Sequence, residues 1–253
     1  VNTERLQQIE LFIKKQKQVT VAELSNYLGV SQPTIRRDLQ KLEVAGVVQR
    51  EHGKMIAVEH AIVEEPPVIQ RIGEQGEEKT RIARATANLI NDGETVFLGA
   101  GTTVLEVARH LEGKKNLIVI TNSLPIIQLL STNPAIKVII TGGVLRHSEL
   151  SFIGHIVEQT LQELRGDKVV LSMRAISIEG GLCNVEPLET TTIRAVMRFA
   201  REVILVVDHT KFDRVTANFV APVTDVHHIV TDEQAPVETI RKLREMGINV
   251  VLA

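Results

Sequence analysis

Residues 31–40 read Ser31-Gln32-Pro33-Thr34-Ile35-Arg36-Arg37-Asp38-Leu39-Gln40, and this decade decides what the first part of the chain is. Ser31 is a good helix N-cap residue, and Pro33 falls in the first turn, where a missing N–H costs little. Ile35, Leu39 and Leu42 recur at helical spacing and mark a buried stripe. At 100° per residue, with Ile35 pointing inward, Pro33, Arg36, Arg37 and Gln40 fall on the outer half. Ser31, Gln32 and Thr34 lie at the N-terminal end, the part of such a helix that reaches base edges in a major groove. An arginine there contacts guanine bidentately, worth ~1–3 kcal/mol of discrimination between bases.

The flanks fit a reader of duplex DNA. Upstream, Gly29 suits a helix C-terminus that needs positive φ. Before it, Thr20 caps a short helix with Ala22, Leu24 and Leu28 inward, and Thr3 to Lys17 carries Leu6, Ile9, Phe12 and Ile13 at helical spacing. Helix, short glycine turn, helix is helix-turn-helix spacing. Downstream, Gly46 ends the third helix, and residues 47–57 read as two short strands around a turn at His52-Gly53. Arg50, His52 and Lys54 sit at the tip of that hairpin, placed to touch phosphate or an adjacent minor groove as a wing does. A three-helix packing unit with a solvated charged face is the plain alternative. The basic turn has no obvious packing job and favours DNA.

From Glu59 to Glu78 the pattern dissolves, and Pro66-Pro67 with a cluster of glutamates marks a linker. The expected organisation is a DNA-binding domain over 1–58, a linker over 59–76 and a second domain over 77–253. In that second domain a helical pattern at Lys79–Ile90 comes first. Apolar strands then read at Thr95–Leu98, Leu117–Ile120, Lys137–Ile140, Lys168–Ser172, Val203–Val207, His228–Val230 and Asn249–Leu252. Amphipathic patterns lie between most of them, at Thr103–Leu111, Pro125–Leu130, His155–Leu164, Thr190–Ala200 and Val237–Met246. Short apolar strands separated by amphipathic helices argue for a parallel sheet covered on both faces. The fold class is α/β: an N-terminal winged helix-turn-helix domain joined to a larger Rossmann-like domain with a mostly parallel sheet.

Open parallel sheets bind ligands at the C-terminal ends of their strands, and here those ends carry small and polar residues. They are Gly99-Ala100-Gly101-Thr102-Thr103, Thr121-Asn122-Ser123, Thr141-Gly142-Gly143 and Asp208-His209-Thr210-Lys211. Glycines let backbone N–H groups approach a ligand, and a helix N-terminus favours an anion such as phosphate. The candidate effector-binding residues are therefore Lys79, Gly99, Gly101, Thr102, Thr103, Thr121, Asn122, Ser123, Gly142, Gly143, Arg174, Asp208 and Lys211. Each loop alone is as readily an ordinary strand-to-helix turn; the succession of polar loops favours a site. Cys183 reads as a small buried residue, and the eight histidines show no metal-ligand spacing; Glu186 and Glu189 lie within reach of a polar loop, where a general-base role competes with the plainer one of helix-start carboxylates.

Composition sets the limits. The 253 residues are 43% hydrophobic and 24% charged, ordinary for a globular protein. The longest apolar run is Val203 to Val207, far short of the ~20 residues a transmembrane helix needs. The chain opens VNTERLQQIE, without the apolar stretch of a signal peptide, so the cytoplasm is the expected compartment. One cysteine excludes an intrachain disulfide. The net charge of −2 averages over unlike parts: residues 1–60 hold nine Lys and Arg against seven Asp and Glu, the rest 20 against 24. Aromatics at 3% argue against a surface that stacks single-stranded bases.

Taken in order, these residues resemble the DeoR family of bacterial transcription regulators over nearly the whole chain. The N-terminal likeness runs through Val21-Ala22-Glu23-Leu24, Leu28-Gly29-Val30-Ser31, Thr34-Ile35-Arg36-Arg37-Asp38-Leu39, Leu42, Gly46 and Arg50 to Gly53. The C-terminal likeness runs through Lys79, Gly101-Thr102-Thr103, Thr121-Asn122-Ser123, Gly142-Gly143, Gly154, Gly181-Leu182 and Asp208 to Phe212. The resemblance implies a winged helix-turn-helix reader and a sensor with the sugar-phosphate isomerase fold. It implies a repressor of a sugar-catabolism operon, acting as a homodimer or homotetramer on a double-stranded operator and answering to a phosphorylated sugar, with no enzyme activity and no cofactor. The chain departs from the family pattern at Gly53-Lys54-Met55, Met173-Arg174 and Cys183. Arg174 is the expected specificity residue, because an added guanidinium suits a phosphate or an acidic sugar. The competing expectation is a sugar-phosphate isomerase or deaminase with an accessory domain, for which Asp208 is the one well-placed carboxylate. A protein–protein adaptor built on a winged helix is a third.

Overall fold

A computed structural model describes residues 2–16, 18–44, 48–51, 54–57, 66–72 and 76–253. The chain divides into two compact units, 1–65 and 66–253.

In the first unit, α1 (Asn2–Gln16) is followed by β1 (Gln18–Val19), α2 (Val21–Leu28), α3 (Gln32–Val44), β2 (Val48–Glu51) and β3 (Lys54–Ala57). Thr20 caps α2 in a reciprocal capping box with Glu23, and Gly29 closes it in the left-handed conformation at φ 64°. Strands β2 and β3 pair antiparallel, Arg50 opposite Met55 and Glu51 opposite Lys54, and β1 adds to the free edge of β3. Ile9, Ile13, Leu24, Ile35, Leu39, Val48 and Met55 form one buried cluster, so all three helices and the hairpin share a core. The short strand β1 is an addition to the sequence reading. Gly46 and the turn residues His52 and Gly53 lie outside the described residues.

The second unit opens with α4 (Val68–Arg71) and α5 (Gly76–Asn88), then β4 (Thr95–Leu98), α6 (Thr102–Arg109), β5 (Leu117–Thr121), α7 (Leu124–Leu130) and β6 (Ile136–Ile140). A hairpin of β7 (Val144–Arg146) and β8 (Ser151–Ile153) precedes α8 (His155–Gln162) and β9 (Gly166–Leu171). Next come β10 (Ala175–Ser177), β11 (Gly181–Asn184), α9 (Pro187–Met197), β12 (Ala200–Val206), β13 (Asn218–Ala221), β14 (His228–Thr231), α10 (Val237–Glu245) and β15 (Asn249–Leu252). Seven strands form one sheet in the order β15-β14-β12-β9-β4-β5-β6, every pair parallel.

The pleat sorts the core. Val96, Leu98, Val170, Ile204 and Val206 point to the face covered by α5, α6 and α7; Phe97, Val169, Leu171, Val203 and Leu205 point to the face covered by α8, α9 and α10. The result is a three-layer sandwich. Two features were absent from the sequence reading: the β7–β8 hairpin and a small antiparallel sheet of β10, β11 and β13. The linker reading is corrected at its C-terminal side. Residues 66–72 belong to the second unit: Val68 is buried and its N–H donates to the Ser148 carbonyl at 2.8 Å.

Candidate functional site

Helix α3 presents the expected face. Ile35 and Leu39 are fully buried, while Gln32, Arg36, Arg37 and Gln40 are exposed and Thr34 is half-buried. The exposed Ser31 accepts the N–H groups of Thr34 and Ile35 on its carbonyl, and its hydroxyl lies 3.0 Å from that of Thr34. These contacts fix the start of the helix. Asp38, given no role from sequence, is 1% exposed and accepts a 2.6 Å hydrogen bond from Arg5 Nε of α1. Its signal was available: an acid placed between Ile35 and Leu39 falls on the inward side. Arg50 and Lys54 sit in the paired strands of the wing; His52 lies outside the described residues.

In the second unit the sheet order places a switch point between β4 and β9, because the chain runs from β4 outward to β6 but from β9 outward to β15. Open sheets bind ligands in the crevice above such a point. The loop after β4 presses close to that after β9. Gly99 N–H donates to the Val170 carbonyl at 3.0 Å, and a Cβ on Gly99 would lie 2.7 Å from Leu171 Cδ2. Gly101 stands at φ 128°, ψ 152°, a conformation essentially reserved for glycine, and leads into α6 with no side chain capping its N–H groups. Thr102 and Thr103, the first residues of that helix, are buried. Gly99, Ala100, Asn122, Ser172, Glu189 and Thr192 line a cavity of about 30 Å³ there.

The neighbouring loops divide their work. Thr121 is fully buried and its hydroxyl is engaged in the fold, donating to the Leu98 carbonyl at 2.7 Å and accepting from Ser123 N–H at 3.0 Å. Asn122 donates through Nδ2 to the Phe152 carbonyl at 2.8 Å, but its buried Oδ1 has no hydrogen-bond partner among the described residues. Gly142 and Gly143 carry the chain from β6 into the hairpin and pack against Ile156, Ile153 and Val157. Asp208 opens a single 3₁₀ turn, accepting the Thr210 N–H at 3.0 Å and the Thr210 hydroxyl. His209 is held by the fully buried Asp232 through both its backbone N–H (2.7 Å) and its Nδ1 (3.0 Å).

A cluster of buried and half-buried charges stands at the same sheet edge. Glu149, in the turn of the β7–β8 hairpin, accepts from Arg71 Nη2 on both oxygens (2.7 and 2.6 Å) and from Arg174 Nη2 on Oε1 (2.6 Å). Lys79 Nζ donates to the Arg71 carbonyl at 3.1 Å, and Arg146 Nη1 pairs with Glu189 at 2.6 Å. Burial pushes the Glu149 carboxyl above its ordinary range; Arg71 works against the shift and Glu189 with it. Burial also holds the Lys211 ammonium below its ordinary value, with Arg174, Arg71 and Arg214 adding to the shift and Asp208 opposing it. Of the predicted residues, Lys79, Arg174, Asp208 and Lys211 thus meet around a common charge cluster. Sequence reasoning missed Arg71, Arg146 and Glu149 and set a helix-start role for Glu189 above a general-base one, since nothing in one sequence places residues 71, 149 and 174 together.

The expectation that Asp208 is the one well-placed carboxylate is corrected, because Glu149 and Glu189 lie at the same edge. Glu186 caps α9 as expected, and Cys183 is buried with its thiol 3.2 Å from the Gly180 carbonyl. Among the described residues no group of three His, Cys, Asp or Glu is placed to hold a metal ion, and no helix is long and apolar enough to cross a membrane.

Comparison with known proteins assigns both units. Residues 5–61 match the DeoR-like helix-turn-helix domain and residues 74–233 the DeoR C terminal sensor domain. The HTH-type transcriptional repressor CsqR of Escherichia coli is 36% identical over 248 residues, 98% of this chain and 94% of that protein. The transcriptional repressor AccR of Agrobacterium fabrum is 32% identical over 246 residues, 96% of this chain and 95% of its own. The glycerol-3-phosphate regulon repressor of Escherichia coli is 33% identical over 250 residues, 99% and 98% of the two chains. A helix-turn-helix with outward arginines, a parallel-sheet sensor unit and end-to-end likeness to named repressors lead to one assignment: the chain belongs to the DeoR family of transcription regulators.

Proposed function

We propose that the chain is a cytoplasmic repressor that reads its operator through α3 and releases it in answer to a phosphorylated sugar bound above the switch point of the sensor sheet. The observation that carries the effector reading is the convergence of cations, the buried Arg71 and Lys79 and the half-buried Arg174 and Lys211, on that sheet edge. Arginine and lysine side chains gathered at one edge suit an anionic group, and a phosphate supplies up to two negative charges. The uncapped start of α6 adds backbone N–H groups suited to the same anion. Asn122 Oδ1 needs a donor, which a sugar hydroxyl supplies.

One reading head specifies few base pairs, so the protein works as a homodimer or homotetramer on paired half-sites. The effector acts by binding the DNA-competent and DNA-incompetent states unequally. The chain is not an enzyme. Among the described residues Glu149 and Glu189 are tied to arginines and Asp208 is committed to its turn, so none of these three carboxylates stands ready as a general base.

The test is a gel shift with the DNA upstream of the chain's own operon, at moderate salt, with and without ribose 5-phosphate, fructose 6-phosphate, glucosamine 6-phosphate and glycerol 3-phosphate. The expected result is a sequence-specific shift that one of these compounds weakens. No specific shift ends the operator reading, and aldose–ketose turnover above ~1 s⁻¹ with any of them ends the non-enzyme reading.

A further inference from the structure

Glu149 occupies a position that an incoming anion would be expected to take. Its carboxylate, 5% exposed, lies between two guanidinium groups from distant parts of the chain, Arg71 on α4 and Arg174 after β9. Arginine forks bind carboxylate and phosphate with the same parallel N–H geometry. The pieces that border the cluster without belonging to the main sheet are the β7–β8 hairpin and the segment 66–72. They are joined to each other by the Arg71–Glu149 pair and by the Val68 N–H to Ser148 carbonyl bond of 2.8 Å.

We propose that Glu149 is a built-in competitor for the effector's anionic group, and that Arg71 and Arg174 exchange its carboxylate for a phosphate when the effector binds. This inference rests on the reading of the crevice as a phosphorylated-sugar site and adds two residues to it. Arg71 becomes an effector ligand, and Glu149 sets the concentration at which the effector registers. The exchange also frees the hairpin turn from α4.

The experiment uses the full chain and inorganic phosphate as probe, with titration calorimetry. Glu149→Gln keeps the shape, removes the competing charge, and is expected to bind phosphate about tenfold more tightly than the unaltered chain, within the usual range for coupled sites. Arg71→Gln is expected to bind it about tenfold more weakly. A second measurement needs no variant: amide exchange of residues 66–72 in the unaltered chain should quicken when phosphate or a bound sugar phosphate is saturating, because the Val68 hydrogen bond opens. Unchanged or weakened phosphate binding by Glu149→Gln, or exchange of 66–72 that stays constant or slows, overturns the inference. If Thr103→Val loses phosphate while Glu149→Gln binds it as the unaltered chain does, the sensor reading stands and the competitor falls. If neither the unaltered chain nor Glu149→Gln binds phosphate or any of the four sugar phosphates, both fall.

Discussion

Arg5 Nε donates to Asp38 Oδ2 at 2.6 Å, and this contact ties the base-reading helix α3 to α1. Asp38 is 1% exposed on its apolar side of α3, with Lys41 3.9 Å away on the same helix. A buried carboxylate that loses its partner is left without compensation. Both Asp38→Ala and Arg5→Ala are therefore expected to lower the thermal midpoint of the first unit. They should also lower operator affinity by roughly tenfold, although neither residue is a base-reading one. Melting followed by circular dichroism, with gel shifts on the same preparations, checks this. Full affinity in Asp38→Ala would show that α3 is oriented by its apolar stripe alone.

Arg36 and Arg37 are exposed on the opposite side of α3 from Ile35. Substituting either by alanine removes no packing, so stability should move by less than ~0.5 kcal/mol. Specific operator binding should weaken by ~1–3 kcal/mol for an arginine that contacts a guanine, while one that contacts phosphate should weaken specific and non-specific DNA alike. Titrations against operator and scrambled duplexes at two salt concentrations separate the two roles.

Gly101 bears on the effector site through its backbone. At φ 128° an alanine is strained, although its Cβ would meet Ser172 Cβ at no more than an ordinary 3.5 Å contact. Gly101→Ala is expected to destabilise the second unit by ~1–3 kcal/mol and to misplace the first N–H groups of α6. Loss of phosphate binding at temperatures where the variant remains folded is the outcome to look for by calorimetry.

Phe97 is fully buried on the α8–α9–α10 side of the sheet, edge-on to Phe199 with ring centroids 6.2 Å apart. Phe97→Ala should cost ~3–5 kcal/mol in denaturant unfolding of the second unit. A loss below 1 kcal/mol would mean that the core collapses around the missing ring.

Glu94 gives the protein an acid-sensitive contact. Burial pushes its carboxyl up, yet hydrogen bonds from Lys168 (2.5 Å) and from Asn91 outweigh that and leave it below the ordinary glutamate value of 4.5. The folded chain therefore binds this proton less readily than the unfolded chain. The stability contributed is present above pH 4.5 and is lost as the pH falls through the folded value. Glu94→Gln should melt lower than the unaltered chain at pH 6, and the gap should narrow toward pH 3. A constant gap across that range would place the effect in packing rather than ionisation.

The sequence by itself determined the periodic parts of this molecule. Residues 31–42 announce α3 through Ser31, Pro33 and the Ile35–Leu39–Leu42 stripe, and the apolar runs at 95–98 and 249–252 are strands with those bounds. In both cases the signal is local: a helix or a buried strand repeats within a few residues, so its buried face is written at consecutive positions. The polar loops at the strand ends were legible for the same reason. The tertiary structure decided what depends on distant partners. The small antiparallel sheet brings β11 beside β13, more than 30 residues on, and neither run is long or periodic enough to read alone. Pro66 to Ile72 looks like linker because its composition is that of a linker; only the approach of Glu149, 78 residues away, makes Arg71 a buried residue of the sensor unit. Ion pairs of that kind leave no mark in a single sequence, because a charge declares neither its partner nor its burial until the sheet has brought the two together.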